Sequence, residues 1–336
     1  MVDNSHILPL NADVALDELA ANAVAIGLPM NTTFRNTTLR EVMLIKGPAG
    51  WAEFSPFPEY GPQESARWLS ATIEAGWHGW PEPRRNVVPV NATVPAVPVD
   101  DVAAVLAKFG PVPAVKVKVA EDDLTTDIAR VQRVHELLPD ADIRIDANTG
   151  YTHEQAFKVI TALPFLRYAE QPVPGIAPLA RLRAALRAAG SNVLIAADEA
   201  VRKETDPLAV AQAEAADLIV VKVQPLGGVR RALSIVKQAG LDAVVSSALD
   251  SSVGIAAGVA LAAALPRLEH ACGLATAALF ATEPATPALP THGMLTPGPA
   301  PVPDPEVLEQ LKLPADRQRW WHKRLAMAHG VLMQNA

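Results

Sequence analysis

Apolar and polar positions alternate strictly over AVKVKVA, residues 114–120, where Val115, Val117 and Val119 interleave with Lys116, Lys118 and Ala120. Alternation of β-branched residues at period two predicts a strand, and it places both lysines on one face. Short apolar runs of this kind recur from residue 87 onward: VVPVNATV (87–94), DIRID (142–146), FLRYAE (165–170), VLIAAD (193–198), LIVVKV (218–223), AVVSS (243–247) and HACGL (270–274). Between them the period lengthens to that of amphipathic helices, in DDLTTDIARVQRVHELL (122–138), THEQAFKVITAL (152–163), PLARLRAALRAA (178–189) and VRRALSIVKQAG (229–240). Eight strands about 25 residues apart, with helices between them, predict an α/β fold of the TIM-type (β/α) barrel class. No Gly-x-Gly-x-x-Gly follows the first strand, which counts against an open dinucleotide-binding sheet.

The two ends of the chain follow other patterns. LREVMLIKG (39–47) predicts a strand leading into a turn, and GWAEFSPF (50–57) a second strand ending in a proline-punctuated loop. A helix follows from Pro62 to Ala75, with Gln63 and Glu64 in its first turn. This is the outline of a small α+β domain. Residues 283–305 carry eight prolines and read as an extended strap, followed by a helix over Pro305–Leu311. DRQRWWHKRLAMAHG then predicts an amphipathic terminal helix that docks its tryptophans on the body. The expected division is an α+β capping domain over 1–86, a barrel over 87–284, and a C-terminal strap and helix over 285–336 returning to the cap.

Composition narrows the functional classes. The net charge of −7, without a sustained basic run, gives no reason to expect a nucleic-acid partner. The single cysteine, Cys272, permits neither a disulfide framework nor a cysteine-built metal site. The opening MVDNSHILPL lacks a signal-peptide profile, and the apolar run Val253–Leu265 falls short of the ~20 residues a membrane span needs. The expectation is a soluble, cytoplasmic protein with no membrane partner, either monomer or homo-oligomer.

The chemistry lies in the register of the charged residues. Lys118, Asp146, Glu170, Asp198 and Lys222 fall at or near the C-terminal ends of five successive strands, separated by 28, 24, 28 and 24 residues. In a barrel these ends ring one mouth, so the five groups converge. Any one acidic residue there is about as well explained as the N-cap of the next helix, but five in register are not. Three carboxylates without cysteine or histidine form a hard oxygen site, suited to Mg²⁺, or Mn²⁺ in its place, and not to zinc. A carboxylate substrate bound there has its α-proton acidified, and a lysine whose pKa is lowered by neighbouring positive charge can remove it. Lys116 is the expected source of that charge beside Lys118.

The order Lys-x-Lys, Asp, Glu, Asp, Lys resembles the enolase superfamily and its muconate lactonizing enzyme subgroup. KVKV, RIDANTGY (144–151), AEQPV (169–173), ADE (197–199) and VKVQPLGG (221–228) are similar to its barrel motifs. GWAEFSPFPEYGPQES and PGPAPVPDPEVLEQL are similar to its capping segments. The resemblance implies that Asp146, Glu170 and Asp198 bind Mg²⁺, with Lys118 and Lys222 on opposite sides of a small-molecule carboxylate. Within the subgroup, VVSSALDSSVG (244–254) and the cap loop are similar to those of the o-succinylbenzoate synthases, although Asp250 stands where glutamate is expected. EHACGLATAA (269–278) lacks the Asp-x-Asp of dipeptide epimerases. The implied reaction is the dehydration of 2-succinyl-6-hydroxy-2,4-cyclohexadiene-1-carboxylate, a step of menaquinone biosynthesis, with Lys118 as base and then acid and Lys222 as a fixed cation. N-acylamino acid racemase or dipeptide epimerase chemistry, with both lysines as bases, remains the alternative. A metal-free barrel using Lys222 as a Schiff-base lysine and a non-catalytic binding protein are further readings.

Arg144 and Asn148, two positions either side of Asp146, are candidates for substrate contact, Arg144 equally for pairing with a barrel carboxylate. Ser246, Ser247, Ser251 and Ser252 offer hydroxyls or helix-start amides to a second substrate carboxylate, or simple caps. Gly227-Gly228 reads as a helix-start turn more than a phosphate cradle. Arg35, Phe54 and Phe57 belong to cap loops that would close over a substrate.

Overall fold

The computed structural model describes residues 7–34, 37–201 and 206–334. Its strands are β1 (Ala23–Phe34), β2 (Thr37–Gly47), β3 (Gly50–Phe54), β4 (Val88–Pro89), β5 (Ala92–Val94), β6 (Ala114–Lys118), β7 (Asp142–Asp146), β8 (Tyr168–Glu170), β9 (Leu194–Ala197), β10 (Leu218–Val221), β11 (Asp242–Val245) and β12 (Met294–Leu295). Its α-helices are α1 (Leu16–Ala21), α2 (Pro62–Ile73), α3 (Val102–Leu106), α4 (Leu124–Leu137), α5 (His153–Ala162), α6 (Ile176–Ala188), α7 (Asp206–Gln212), α8 (Val223–Leu226), α9 (Val229–Ala239), α10 (Ser252–Ala264), α11 (Pro305–Leu311) and α12 (Ala315–Gln334).

Seven strands form one parallel sheet in the order β11-β10-β9-β8-β7-β6-β5, each reached through a helical crossover from β5 onward. Both sheet faces are covered, so the strands read as near-continuous apolar runs such as LIVV. The two outer strands of this sheet are joined through HACGL, not by a regular strand but by isolated parallel bridges of Cys272 to Val90 and Gly273 to Ser246. The amide of Asn91 donates to Cys272 O at 3.0 Å and that of Gly273 to Val245 O at 2.8 Å. The segment expected as one strand, VVPVNATV, is split. Pro89 has no amide hydrogen to continue a ladder, and β4 pairs instead, antiparallel, with β12 from the proline-rich segment. The charge-free run at 253–265 is the body of α10, buried on nearly every side, which is why it shows no polar face.

A second hydrophobic cluster is built on the antiparallel sheet β1-β2-β3, with α2 and the tail packed on it. β1 was not expected from the sequence; its residues Ala25–Leu28 are buried consecutively, without the alternation that marks a strand. The chain returns from the proline-rich segment by a bridge of Lys312 to Ile26, and α12 then packs along α2. Trp321 is fully buried there, with its Nε1 donating to Glu41 Oε2 at 2.9 Å. The same cluster includes Ala248 and Leu249 from the β11–α10 connection and Val253 from the first turn of α10, so this layer rests on the carboxyl ends of the parallel strands.

At the end of α2 one π-turn (Glu74–His78) turns the Glu74 carboxylate onto the start of α9, where it accepts from the amides of Val229 and Arg230 and from Arg230 Nη1. A Cβ on Gly228 would collide with Glu74 Oε2, so the Gly-Gly pair makes room for this clamp. The helix start is therefore occupied by a carboxylate of the protein itself.

Candidate active site

The strand periodicity delivers the charged residues to one place. Lys118, Asp146 and Glu170 are the last residues of β6, β7 and β8, and they stand in register, Lys118 beside Asp146 and Asp146 beside Glu170. Asp198 follows β9 directly, and Lys222 follows β10 as the N-cap residue of α8. A cavity of about 650 Å³ opens over them, lined at its base by Lys116, Lys118, Asp146, Asn148, Asp198, Glu199 and Lys222. Glu170, 1% exposed, lies beneath this surface.

The carboxylates of Asp146, Glu170 and Asp198 each meet an ammonium. Lys118 Nζ donates to Asp146 Oδ2 and Asn148 Oδ1, each at 2.6 Å. Lys116 Nζ lies 3.0 Å from Glu170 Oε1 and 3.3 Å from Asp146 Oδ2. Lys222 Nζ pairs with Asp198 Oδ1 on the other side. Burial alone would lower the Lys116 pKa, but Glu170 and Asp146 outweigh it and raise it. Carboxylates and not ammonium groups therefore dominate the surroundings of Lys116. Burial likewise works to raise Asp146, yet Lys116 and Lys118 hold it well below the usual carboxylate range. Glu170 is pushed up to about 7, by burial first and then by the charge of Asp146.

Among the described residues, no three His, Cys, Asp or Glu side chains stand as a metal site, because the carboxylate oxygens are turned onto the lysines. The donor set nonetheless fits a hard divalent cation. It consists of three buried carboxylates on neighbouring strand ends, with no sulfur or imidazole among them.

Gln171, whose role the sequence did not reveal, fixes the loop that carries Asp198. Its side chain is fully buried, and Oε1 accepts the amides of Asp198 and Ala200 at 3.0 Å each while Nε2 donates to Val173 O at 2.8 Å. The only signal was a polar residue directly after a strand-end glutamate in AEQPV.

The expected substrate contacts divide. Asn148 and Ser247 line the cavity, and Ser247 Oγ shares a hydrogen bond with Thr276 Oγ1 at 2.8 Å. Phe57 also lines it, joined edge-on by Tyr60 and Trp68. Arg144 does not reach the cavity: it is fully buried, its Nη1 donating to Tyr168 Oη at 2.8 Å and Ala271 O at 2.7 Å. Phe54 is also withdrawn, packed edge-on against Trp321 inside the cap. Ser251 is a buried cap of α10, its Oγ accepting from Val253 N at 3.2 Å, and its own amide is taken by Glu53 Oε2 at 2.9 Å. The Ser252 amide is taken by Glu283. Arg35 lies outside the described residues.

Residues 99–303 match the family profile described as enolase C-terminal domain-like, and residues 25–76 that described as enolase N-terminal domain-like. An o-succinylbenzoate synthase of Mycolicibacterium smegmatis is 47% identical over 327 residues, covering 96% of this chain and 99% of the relative. One from Mycobacterium marinum is 46% identical over 326 residues, covering 96% and 97%. Among solved structures, muconate lactonizing enzyme from Pseudomonas fluorescens superposes with a TM-score of 0.74 at 18% identity, covering 87% of this chain and 98% of that one. The 2-chloromuconate cycloisomerase of Rhodococcus opacus gives 0.74 at 21%, with the same coverage. At these identities the solved structures establish the fold, a likeness that spans most of the chain.

Proposed function

This chain belongs to the enolase superfamily, and from that premise we propose that it catalyses the reaction of the o-succinylbenzoate synthases, dehydrating 2-succinyl-6-hydroxy-2,4-cyclohexadiene-1-carboxylate to o-succinylbenzoate. The observation that carries the reading is a lysine on each flank of three buried carboxylates at the base of one cavity, Lys118 at the end of β6 and Lys222 after β10. The near-full-length likeness to synthases supports this reaction over the others of the subgroup.

Asp146, Glu170 and Asp198 would hold Mg²⁺, which when bound stabilises the negative charge that develops on the substrate carboxylate. Lys118 removes the proton from the ring carbon bearing that carboxylate. The electron pair left behind moves into the ring as the C–O bond to the hydroxyl breaks. Lys118 returns its proton to the departing oxygen on the same face, so water leaves and the ring becomes aromatic. Asn148, bonded to Lys118 Nζ, keeps the amine at the cavity floor through this exchange. Lys222 remains cationic and stabilises the intermediate from the opposite flank. Residues 1–86 and 285–336 act as the cap over a catalytic barrel of 87–284.

Incubation with the cyclohexadiene carboxylate, followed by absorbance, is expected to show Mg²⁺-dependent aromatisation that EDTA abolishes. Exchange of the α-proton of an N-acylamino acid in D₂O, without aromatisation, would instead establish two-base racemase chemistry.

A further inference from the structure

Among the described residues five cations line the cavity, and the proposed chemistry engages Lys118 and Lys222. Lys116, Lys118 and Lys222 are paired with the carboxylates at its base, whereas Arg67 and Lys108 form no hydrogen bond or ion pair among the described residues. Lys108 is exposed and solvated. Arg67 is different: its Nε is buried without a partner. Glu64, one turn earlier on α2 and also at the cavity, spends its Oε2 on the amide of Gly61 at 3.2 Å. A guanidinium left in this state, half out of water and uncompensated, is a receptor for an anion that comes with the ligand.

Its position says which anion. Glu64 precedes Arg67 by three residues and Trp68 by four, so it neighbours both on α2, and all three line the cavity. α2 packs against α8, which begins directly after Lys222, and Arg67 and Lys222 line the same cavity. Beside it, Phe57, Tyr60 and Trp68 form an apolar wall. The helix-start amides that would otherwise capture a carboxylate, at Ser251 and Ser252, are filled by Glu53 and Glu283. Resting on the proposed reaction, we propose that Arg67 is a specificity residue that binds the second carboxylate of the substrate, at the end of its succinyl arm, while the aromatic wall covers the arm's methylene groups. The planar guanidinium accommodates a carboxylate through two parallel hydrogen bonds, which selects an acid over a neutral amide of the same shape.

The test compares wild type, Arg67→Met and Arg67→Lys on two substrates, the cyclohexadiene diacid and its analogue with the succinyl carboxylate converted to the amide. Loss of a charge-assisted hydrogen-bonded pair corresponds to about 10- to 100-fold. We expect Arg67→Met to raise KM for the diacid by that factor with kcat little changed, to leave the amide unaffected, and to be partly rescued by Arg67→Lys. An acid-over-amide preference in Arg67→Met equal to that of wild type overturns the proposal. If wild type turns over neither compound, the reaction itself falls, and calorimetry decides the site independently. Weaker binding of o-succinylbenzoate but not of benzoate by Arg67→Met sustains it, and equal changes for both refute it.

Discussion

Replacing Gln171 by leucine nearly conserves volume and removes every polar contact the side chain makes. Three groups are stranded where no solvent reaches: the amides of Asp198 and Ala200, each now 3.0 Å from Oε1, and the carbonyl of Val173, 2.8 Å from Nε2. An orphaned buried polar group costs about 1–3 kcal/mol, and partial relaxation of the loop keeps three of them below the full sum, so about 3 kcal/mol of stability should be lost. The backbone at Gln171 cannot easily shift to compensate. It holds a φ of +36° and is tied by its own amide to Ala196 O and by its carbonyl to the amide of Thr149, both at 2.8 Å. The loop that gives way is then the one bearing Asp198, and if Asp198 binds the metal as proposed, losing the support behind it should lower Mg²⁺ affinity about 10- to 100-fold. Urea unfolding monitored by circular dichroism measures the first effect, and calorimetric titration with Mg²⁺ the second. A Gln171→Leu variant with the wild-type urea midpoint would refute the hydrogen-bond argument. One that is destabilised but binds Mg²⁺ normally would confine Gln171 to a role in folding.

Lys118→Ala should lower kcat by about 10²- to 10⁴-fold while melting and Mg²⁺ binding stay near wild type; unchanged turnover removes Lys118 from the mechanism. Glu53, on β3 and buried against the start of α10, has its pKa raised from 4.5 to about 8 by burial and by Asp250. The folded state therefore favours the protonated form, and its contribution is complete below pH 4.5 and lost as pH rises through about 8. Glu53→Gln, neutral throughout, should flatten the decline in stability across that window, and an unaltered slope in denaturant titrations from pH 5 to 8 would show that Glu53 is not responsible.

Much of the parallel sheet and the core of its candidate site was legible in the chain. Period-two runs separated by helical ones specify parallel strands with crossovers, and one charged residue per unit at the strand ends required no coordinates to suggest a shared mouth. What alternation conveys is the face a side chain occupies, not its depth. Arg144 shares the face of Asp146, yet it lies one layer lower in a packed interior, where Tyr168 and a backbone carbonyl receive it. β1 carried no alternation to read, because cap residues cover it consecutively.

The partners of each group were decided only when distant segments met. Ser251 became a cap rather than a substrate contact because β3 brings Glu53 onto its amide, and the Gly-Gly turn closed on Glu74 in the same way. The lysine–carboxylate pairs, and the lack of a partner for Arg67 among the described residues, likewise follow from which strand ends and helices adjoin. A sequence specifies local period and residue chemistry, but burial and charge compensation depend on neighbours tens to hundreds of residues away, and only the closed fold supplies them.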